Sequence, residues 1–450
     1  MSAARLAAFA AELRFEHCPA AVQDRVRWIL ADTLAAIVAG TAEPELRALA
    51  RRQAPGAATV PGLGPRFQPE AAALLGGSAG TFLELDEGNR FARGHPAVHI
   101  VPALLAHAET VPSDGPTFLG ALLAGYEVCA RIAGASRLRG PLHPHGTWGT
   151  VGAAVGCGRL AGRGAGAMET LIGIASSLMT ATSKQTMLEG GLVRNVYAGL
   201  ASRNGLLALQ LVDSGFGAEH DGLASLFGRV LSDHWDTQAL QAGLVTHWQV
   251  LQSYFKMHSC CRYNHGVLDA LDLLAARGEL PPAEQLERVQ VDAYDLAAEL
   301  VDPAPANTLA ARFSVPFAVA TRVVNGHSGV DAFGWAAVRD PRVQSLARRV
   351  SVREEPAFTR RLPHERPARV TLHWRDGRQA QAEVAHNRGD ETAPYGEDLL
   401  QRKFIALAGR AWPAAHAERV LGATLELGRA GGDLQAWLAL LRPAASLEEA

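Results

Sequence analysis

The chain has 450 residues, 48% of them hydrophobic and 20% charged, with a formal net charge of −2. That length exceeds one ordinary hydrophobic core and predicts two domains. The near-neutral charge gives no electrostatic case for binding nucleic acid or an anionic membrane. Cys18, Cys129, Cys157, Cys260 and Cys261 follow no framework spacing, which predicts reduced thiols in a cytoplasmic protein. The N-terminal MSAARLAAFAAELRFEH is broken by charge and lacks the apolar core of a signal peptide, and no run of apolar residues is long enough to predict a membrane span.

In chain order, the first two thirds read as helix. AAVQDRVRWILADTLAAIVAG puts Val22, Val26, Ile29, Leu30, Leu34 and Ile37 on one stripe and predicts a helix ending at Gly40 as a C-terminal cap. PTFLGALLAGYEVCARIAGA is apolar nearly all round, as a helix inside a bundle is. GTVGAAVGCGRLAG and NVYAGLASRNGLLALQLV carry small residues at short intervals, which predicts closely packed central helices; neither contains GxxxxGK[ST] nor follows a strand, so neither reads as a phosphate loop. After about residue 260 the pattern changes. LERVQVDAYD alternates around Val289 and Val291 as a strand does, and ARVTLHWRDGRQAQAEV reads as a hairpin turning at Asp376-Gly377. Helical pattern resumes at EDLLQRKFIALAGRA. The expected architecture is mainly α: a large all-helical domain (1–262 and 395–450) with a smaller α+β lid domain (263–394) inserted before the last helices.

Four segments concentrate chemistry. ELDEGNRFARGHPAVH holds Glu84, Asp86 and Glu87, then His95 at the start of a helix opened by Pro96. Acids there serve equally as solvated capping groups, and His99, on an apolar stripe without an HExxH pattern, reads as a structural histidine. RGPLHPHGTWGTVGAA sets His143 and His145 in a turn before a Gly/Ala helix; turn histidines are often merely exposed, but an imidazole is an acid or base near neutrality. GGLVRNVYAG places Arg194 at another helix entrance, where its fork suits a carboxylate or simply faces solvent. SYFKMHSCCRYNHGVLDAL is the densest cluster, with Lys256, His258, Cys260, Cys261, Arg262 and His265. The adjacent cysteines have no CxxC partner, which argues against zinc. Lys256 and Arg262 read instead as anion binders at a domain junction, a favoured place for ligands. No GxSxG nucleophile motif occurs. Acid/base chemistry on a small carboxylated substrate is the class these residues fit.

Taken together, ADTLAAIVAG, LLGGSAGTFLELDEGNRFARGHPAVHIVPALLA, AGYEVCARIAGA, LHPHGTWGTVGAA, LVRNVYAGLASRNG, FKMHSCCRYNHGVLDAL and ARFSVPFAVATRVVNG resemble, in order and spacing, the MmgE/PrpD family. That family includes 2-methylcitrate dehydratases, cis-aconitate decarboxylases and iminodisuccinate epimerase. The resemblance implies a helical domain with an α+β lid, a homodimer, an active site in the cleft, and no metal or organic cofactor. It aligns the family's acidic cluster with Glu84–Glu87 and its histidines with His95 and His143. Its junction lysine falls on Lys256. The usual DFDDTH is here ELDEGNR, the lysine before HAG is Arg194, and AKFSLPY is ARFSVPF, with Arg312 for Lys and Phe317 for Tyr. The expected acid/base set is Asp86, His95, His143 and Lys256. The expected substrate contacts are Glu84, Asn89, Arg194, Cys261, Arg262, His265 and Phe317. The expected activity is that of a cofactor-independent lyase, foremost a hydro-lyase, on a small di- or tricarboxylate. An epimerase, a decarboxylase and a non-catalytic ligand-binding member are the alternatives.

Overall fold

Six helices form the centre of the larger core, and the sequence explains why they pack so closely. They are α1 (Ala20–Gly40), α2 (Pro69–Thr81), α3 (Ala97–Ala108), α4 (Gly115–Ala135), α5 (Trp148–Leu160) and α6 (Tyr197–Asp213). The computed structural model describes residues 3–430 and 432–442; residues 443–450 of the expected C-terminal segment lie outside the described residues. α4 packs on α5, α6 on α2 and α5, and α2 on α1 and α3. The small residues of α2, α5 and α6 are what allow these approaches. Gly40 is not a left-handed cap, as the sequence suggested. It is the last residue of α1, and a Cβ there would stand 2.0 Å from the carbonyl oxygen of Ala79 on α2. The apolar helix α4 is long enough to cross a bilayer by length and composition, but it is buried among its neighbours here.

A second core forms around a four-stranded sheet of β1 (Leu286–Ala293), β2 (Val350–Glu354), β3 (Ala368–Trp374) and β4 (Gln379–Val384), in the order β2-β1-β3-β4. β2 runs parallel to β1, with Val350 opposite Val289; β3 is antiparallel to both neighbours, with Val370 opposite Val291 and Ala382. Val289, Val291, Val370 and Leu372 are fully buried, as the period-two alternation predicts. The hairpin closes where Gly377 takes φ 87° and its N–H donates to the carbonyl of Trp374 at 3.1 Å. Helices α7 (His265–Ala276) and α8 (Val315–Asn325) pack against the sheet, α7 on β3 and β4 and α8 on β2. The chain then returns to the first core as α9 (Glu397–Ala408), which packs on α1.

The helical part is not all helix. Gly88–Asn89 pairs with Ser253–Tyr254, and Leu142–His143 with Thr182–Ser183. Ribbons this short carry no periodicity for a sequence to display, yet they fasten the segments that bear the site.

Candidate functional site

The loop between α2 and α3 is tied down at several points. Lys403 on α9 donates to the carbonyl of Leu85 at 2.8 Å and to Asp32 on α1 at 2.5 Å. Ser259 Oγ donates to the carbonyl of Leu83 at 2.7 Å. Gly88 lies antiparallel to Tyr254, and continuing that register two residues each way sets Asp86 against Lys256. The two meet, Nζ to Oδ1, at 3.7 Å. Glu84 takes φ 54°, a left-handed conformation that a residue with a Cβ adopts only when its surroundings hold it. Its N–H donates to the carbonyl of Thr81 at 3.3 Å, and its carboxylate lies 2.5 Å from Arg194 Nη1 and 3.4 Å from Lys256 Nζ. Burial works against that charge, but Arg194 and then Lys256 outweigh it and bring Glu84 down to about 2.

His95 closes the loop at the entrance of α3. Its Nδ1 lies 2.7 Å from the carbonyl oxygen of Glu87 and 3.2 Å from Asp86 Oδ2. A carbonyl only accepts, so Nδ1 carries the proton and Nε2 of the neutral ring keeps its lone pair. His143 has the opposite tautomer. Its Nδ1 accepts the backbone N–H of His145 at 3.1 Å, so the proton of the neutral ring sits on Nε2. Burial pushes both rings below the ordinary imidazole value, with Asp86 opposing the shift at His95 and Arg194 adding to it at His143. The turn bearing His143 and His145 is held by Thr182 Oγ1, which donates to both of their carbonyls, at 3.3 and 3.0 Å.

These groups border a cavity of about 260 Å³ between the two cores. Its wall includes Glu84, His95, His143, His145, Arg194, Tyr254, Cys261, Arg262, Phe313 and Arg366. Among the described residues Glu84 is the one acid in the lining, against Arg93, Arg139, Lys184, Arg194, Arg262 and Arg366. A cavity of this size and sign suits a small anion.

The expected site residues divide accordingly. Glu84, His95, His143, Arg194, Cys261 and Arg262 reach the cavity wall. Asp86 and Lys256 are buried just behind it; Lys256 binds the protein's own Glu84 and Asp86, so it acts on the wall from behind. Three expected contacts lie elsewhere. The Asn89 amide is spent on backbone, accepting from Phe91 and Ala92 N–H and donating to the carbonyl of Gln249. His265 is buried against Arg262, with Nη1 to Nδ1 at 2.9 Å. Phe317 packs on Phe333 in the second core, and Phe313 lines the cavity instead. Burial first, then Glu84, pushes the Cys261 thiol up to about 11, so it is not a thiolate at neutral pH.

His145, singled out in the sequence beside His143, joins the wall, and so do Tyr254 and Arg366, which did not stand out there. His145 is buried, its ring 4.8 Å from His143 and 5.4 Å from His95 between centroids; its signal was the HPH pair itself. Tyr254 stands two residues before Lys256, a spacing that puts both on one side of an extended chain. Nothing around Arg366 in HERPARV marks it. His258, Asp269 and Asp272 have donor atoms close enough to share a metal ion, but they are engaged within the protein: His258 with Ser328 and Asp269, Asp269 with the backbone of Arg388, and Asp272 with Arg322.

The MmgE/PrpD N-terminal domain profile matches residues 4–238, and the MmgE/PrpD C-terminal domain profile matches residues 258–427. The chain is 25% identical to cis-aconitate decarboxylase of Aspergillus terreus over 453 residues, covering 94% of this chain and 92% of the relative. It is 26% identical to the cis-aconitate decarboxylase-like protein oryM of Aspergillus oryzae over 476 residues, covering 97% and 96%.

Proposed function

This chain belongs to the MmgE/PrpD family, and from that premise we propose that it is a lyase acting by proton transfer on a small polycarboxylate, with a hydro-lyase reaction as the first reading. The observation that carries it is the opposed pair of tautomers, His95 with a lone pair on Nε2 and His143 with a proton there.

In the proposed reaction His95 Nε2 takes the proton from the carbon next to a carboxylate. The electron pair moves into that carboxylate, and the charge that develops is met by the His143 Nε2–H and by cavity guanidinium groups. Asp86, 3.2 Å from Nδ1, stabilises the imidazolium that forms. The imidazolium returns its proton to the hydroxyl on the neighbouring carbon. The C–O bond breaks, the C=C bond forms and water leaves. Each protein group ends as it began, and no step calls for a cofactor.

A decarboxylase is the second reading, supported by the named relatives. There the C–C bond to the carboxylate breaks, carbon dioxide leaves, and protonated His95 supplies a proton to the carbon chain. The pH dependence separates the two. A hydro-lyase loses rate as pH falls through the His95 pKa; a decarboxylase loses rate as pH rises through it.

The test is proton NMR in deuterated water with a panel of 2-methylcitrate, citrate, cis-aconitate and iminodisuccinate. Elimination or hydration supports the first reading, and release of carbon dioxide with deuterium incorporation supports the second. Deuterium exchange with inversion and no elimination points to an epimerase. Failure to turn over any polycarboxylate overturns the proposal.

A further inference from the structure

Four histidines meet beside the cavity, and three of them have a tautomer fixed by the backbone. His95 and His99 each set Nδ1 against a carbonyl, of Glu87 and of His95 in turn, at 2.7 Å, and His143 Nδ1 accepts the N–H of His145 at 3.1 Å. His145 is the fourth. Its ring packs edge-to-face among the other three, with centroids 4.8 Å from His143, 5.0 Å from His99 and 5.4 Å from His95.

The fold holds the His145 backbone and leaves its ring unbonded. Its N–H goes to His143 Nδ1, and its carbonyl accepts Thr182 Oγ1 at 3.0 Å. Nδ1 is sealed in the interior without a hydrogen-bond partner, so the ring meets the cavity by its Nε2 edge. Burial, with Arg194 next, pushes the ring well below the ordinary imidazole value, which makes it neutral near pH 7. With nothing bound at Nδ1, the single ring proton can sit on either nitrogen, and Nε2 donates or accepts as the ligand requires. A carboxylate only accepts, and the His143 Nε2–H and the guanidinium groups already serve it. A hydroxyl both donates and accepts, and that is the group a ring with a free tautomer fits.

We propose that His145 holds the leaving hydroxyl of the substrate through Nε2, next to the His95 ring that protonates it. The inference rests on the hydro-lyase reading above and adds to it the substrate class, a polycarboxylate with a hydroxyl on the carbon beside the one that loses its proton. No bond to His145 forms or breaks. The proton still reaches the hydroxyl from His95, and His145 keeps that oxygen in place while the C–O bond opens.

The test is calorimetric binding of 3,3-dimethylmalate and 2,2-dimethylsuccinate, which differ by one hydroxyl. Their quaternary carbon has no hydrogen for a base to take, so neither can lose water. Wild-type protein is expected to prefer the hydroxy acid by about 3- to 10-fold, the range of one neutral hydrogen bond. His145→Asn puts an amide near the place of Nδ1 and none near Nε2; it is expected to bring the two affinities within about 2-fold while leaving that for dimethylsuccinate unchanged. His145→Gln, which puts an amide near the place of Nε2, is expected to keep most of the preference. Binding of dimethylsuccinate reports in each variant that the cavity is still formed. A wild-type protein without the preference, a preference that survives in His145→Asn, or an equal loss in both variants overturns the proposal and leaves the lyase reading standing. Wild-type protein that binds neither probe removes both.

Discussion

Asp86 Oδ2 stands 3.2 Å from Nδ1 of His95, while neither oxygen of that carboxylate has a hydrogen-bond donor of its own. The carboxylate therefore acts on the ring chiefly through charge, and the carbonyl of Glu87 supplies the hydrogen bond that fixes the tautomer. Asp86→Asn keeps the shape and removes the charge. Because Asp86 does not reach the cavity wall, kcat is expected to fall by roughly 10²-fold with KM little changed. Burial already lowers the His95 pKa and Asp86 opposes that shift. The limb of the kcat/KM profile that reports His95 is thus expected to lie below pH 6.5 and to move lower still in the variant.

Glu84 offers a stability test with a defined window. Its pKa is about 2 against an ordinary 4.5. A depressed carboxylate contributes fully above the unfolded value, and that contribution is lost as pH falls from 4.5 through about 2. Glu84→Gln leaves Arg194 without its partner and Lys256 with Asp86 alone, and is expected to cost about 3–5 kcal/mol at neutral pH. Urea denaturation across the acid range should show the wild-type decline flattened in the variant.

How much of this was legible in the sequence depends on whether the information is local. The stripe of α1, the alternation of β1 and the Asp376-Gly377 hairpin each lie within a few residues, and the structure has them where the pattern put them. The glycine ending α1 misled because a cap and a helix crossing leave the same letter; the difference is Ala79, some forty residues away. His95 and His143 were visible through residue type beside a helix entrance. Whether a cation faced substrate or the protein's own carboxylates was not visible, because Lys256 meets Asp86 only through a two-residue ribbon. Asn89 and His265 looked functional by type but are consumed by the local backbone and by Arg262. Arg366 was invisible because the fold, not its neighbours in sequence, brings it to the cavity wall.

Glu87 is a buried carboxyl with the opposite shift. Burial is the main cause, and it outweighs the hydrogen bonds from Tyr126 and the Ala97 N–H to bring the group up to about 8. For a raised pKa, the contribution to stability is complete below the unfolded value of 4.5 and is lost as pH rises through about 8. Glu87→Gln reproduces the neutral form: its oxygen accepts from Ala97 and its amide donates to the Tyr126 hydroxyl, the two partners seen at 3.1 and 2.6 Å. The variant is expected to gain on wild type by roughly 2–4 kcal/mol between pH 5 and pH 9 in chemical denaturation. A constant difference across that range would mean that Glu87 is already ionised.

Gly88 sets the position of Tyr254. A Cβ at residue 88 would stand 2.4 Å from the Tyr254 ring carbon that bears the hydroxyl, closer than any real contact, so Gly88→Ala must displace the ring. That ring carries the Arg262 and Arg366 guanidinium groups and borders the cavity. The expected result is a KM raised about 10-fold with a smaller change in kcat, because the reacting groups His95 and His143 are not moved. Thermal stability should fall as well. Adding Tyr254→Leu makes room for the new methyl, so the double variant should recover much of the lost stability. It should not recover KM, since the aromatic surface under both arginines is gone. Recovery of both would reduce Tyr254 to a packing residue, and Gly88 would then bear on the site only through space.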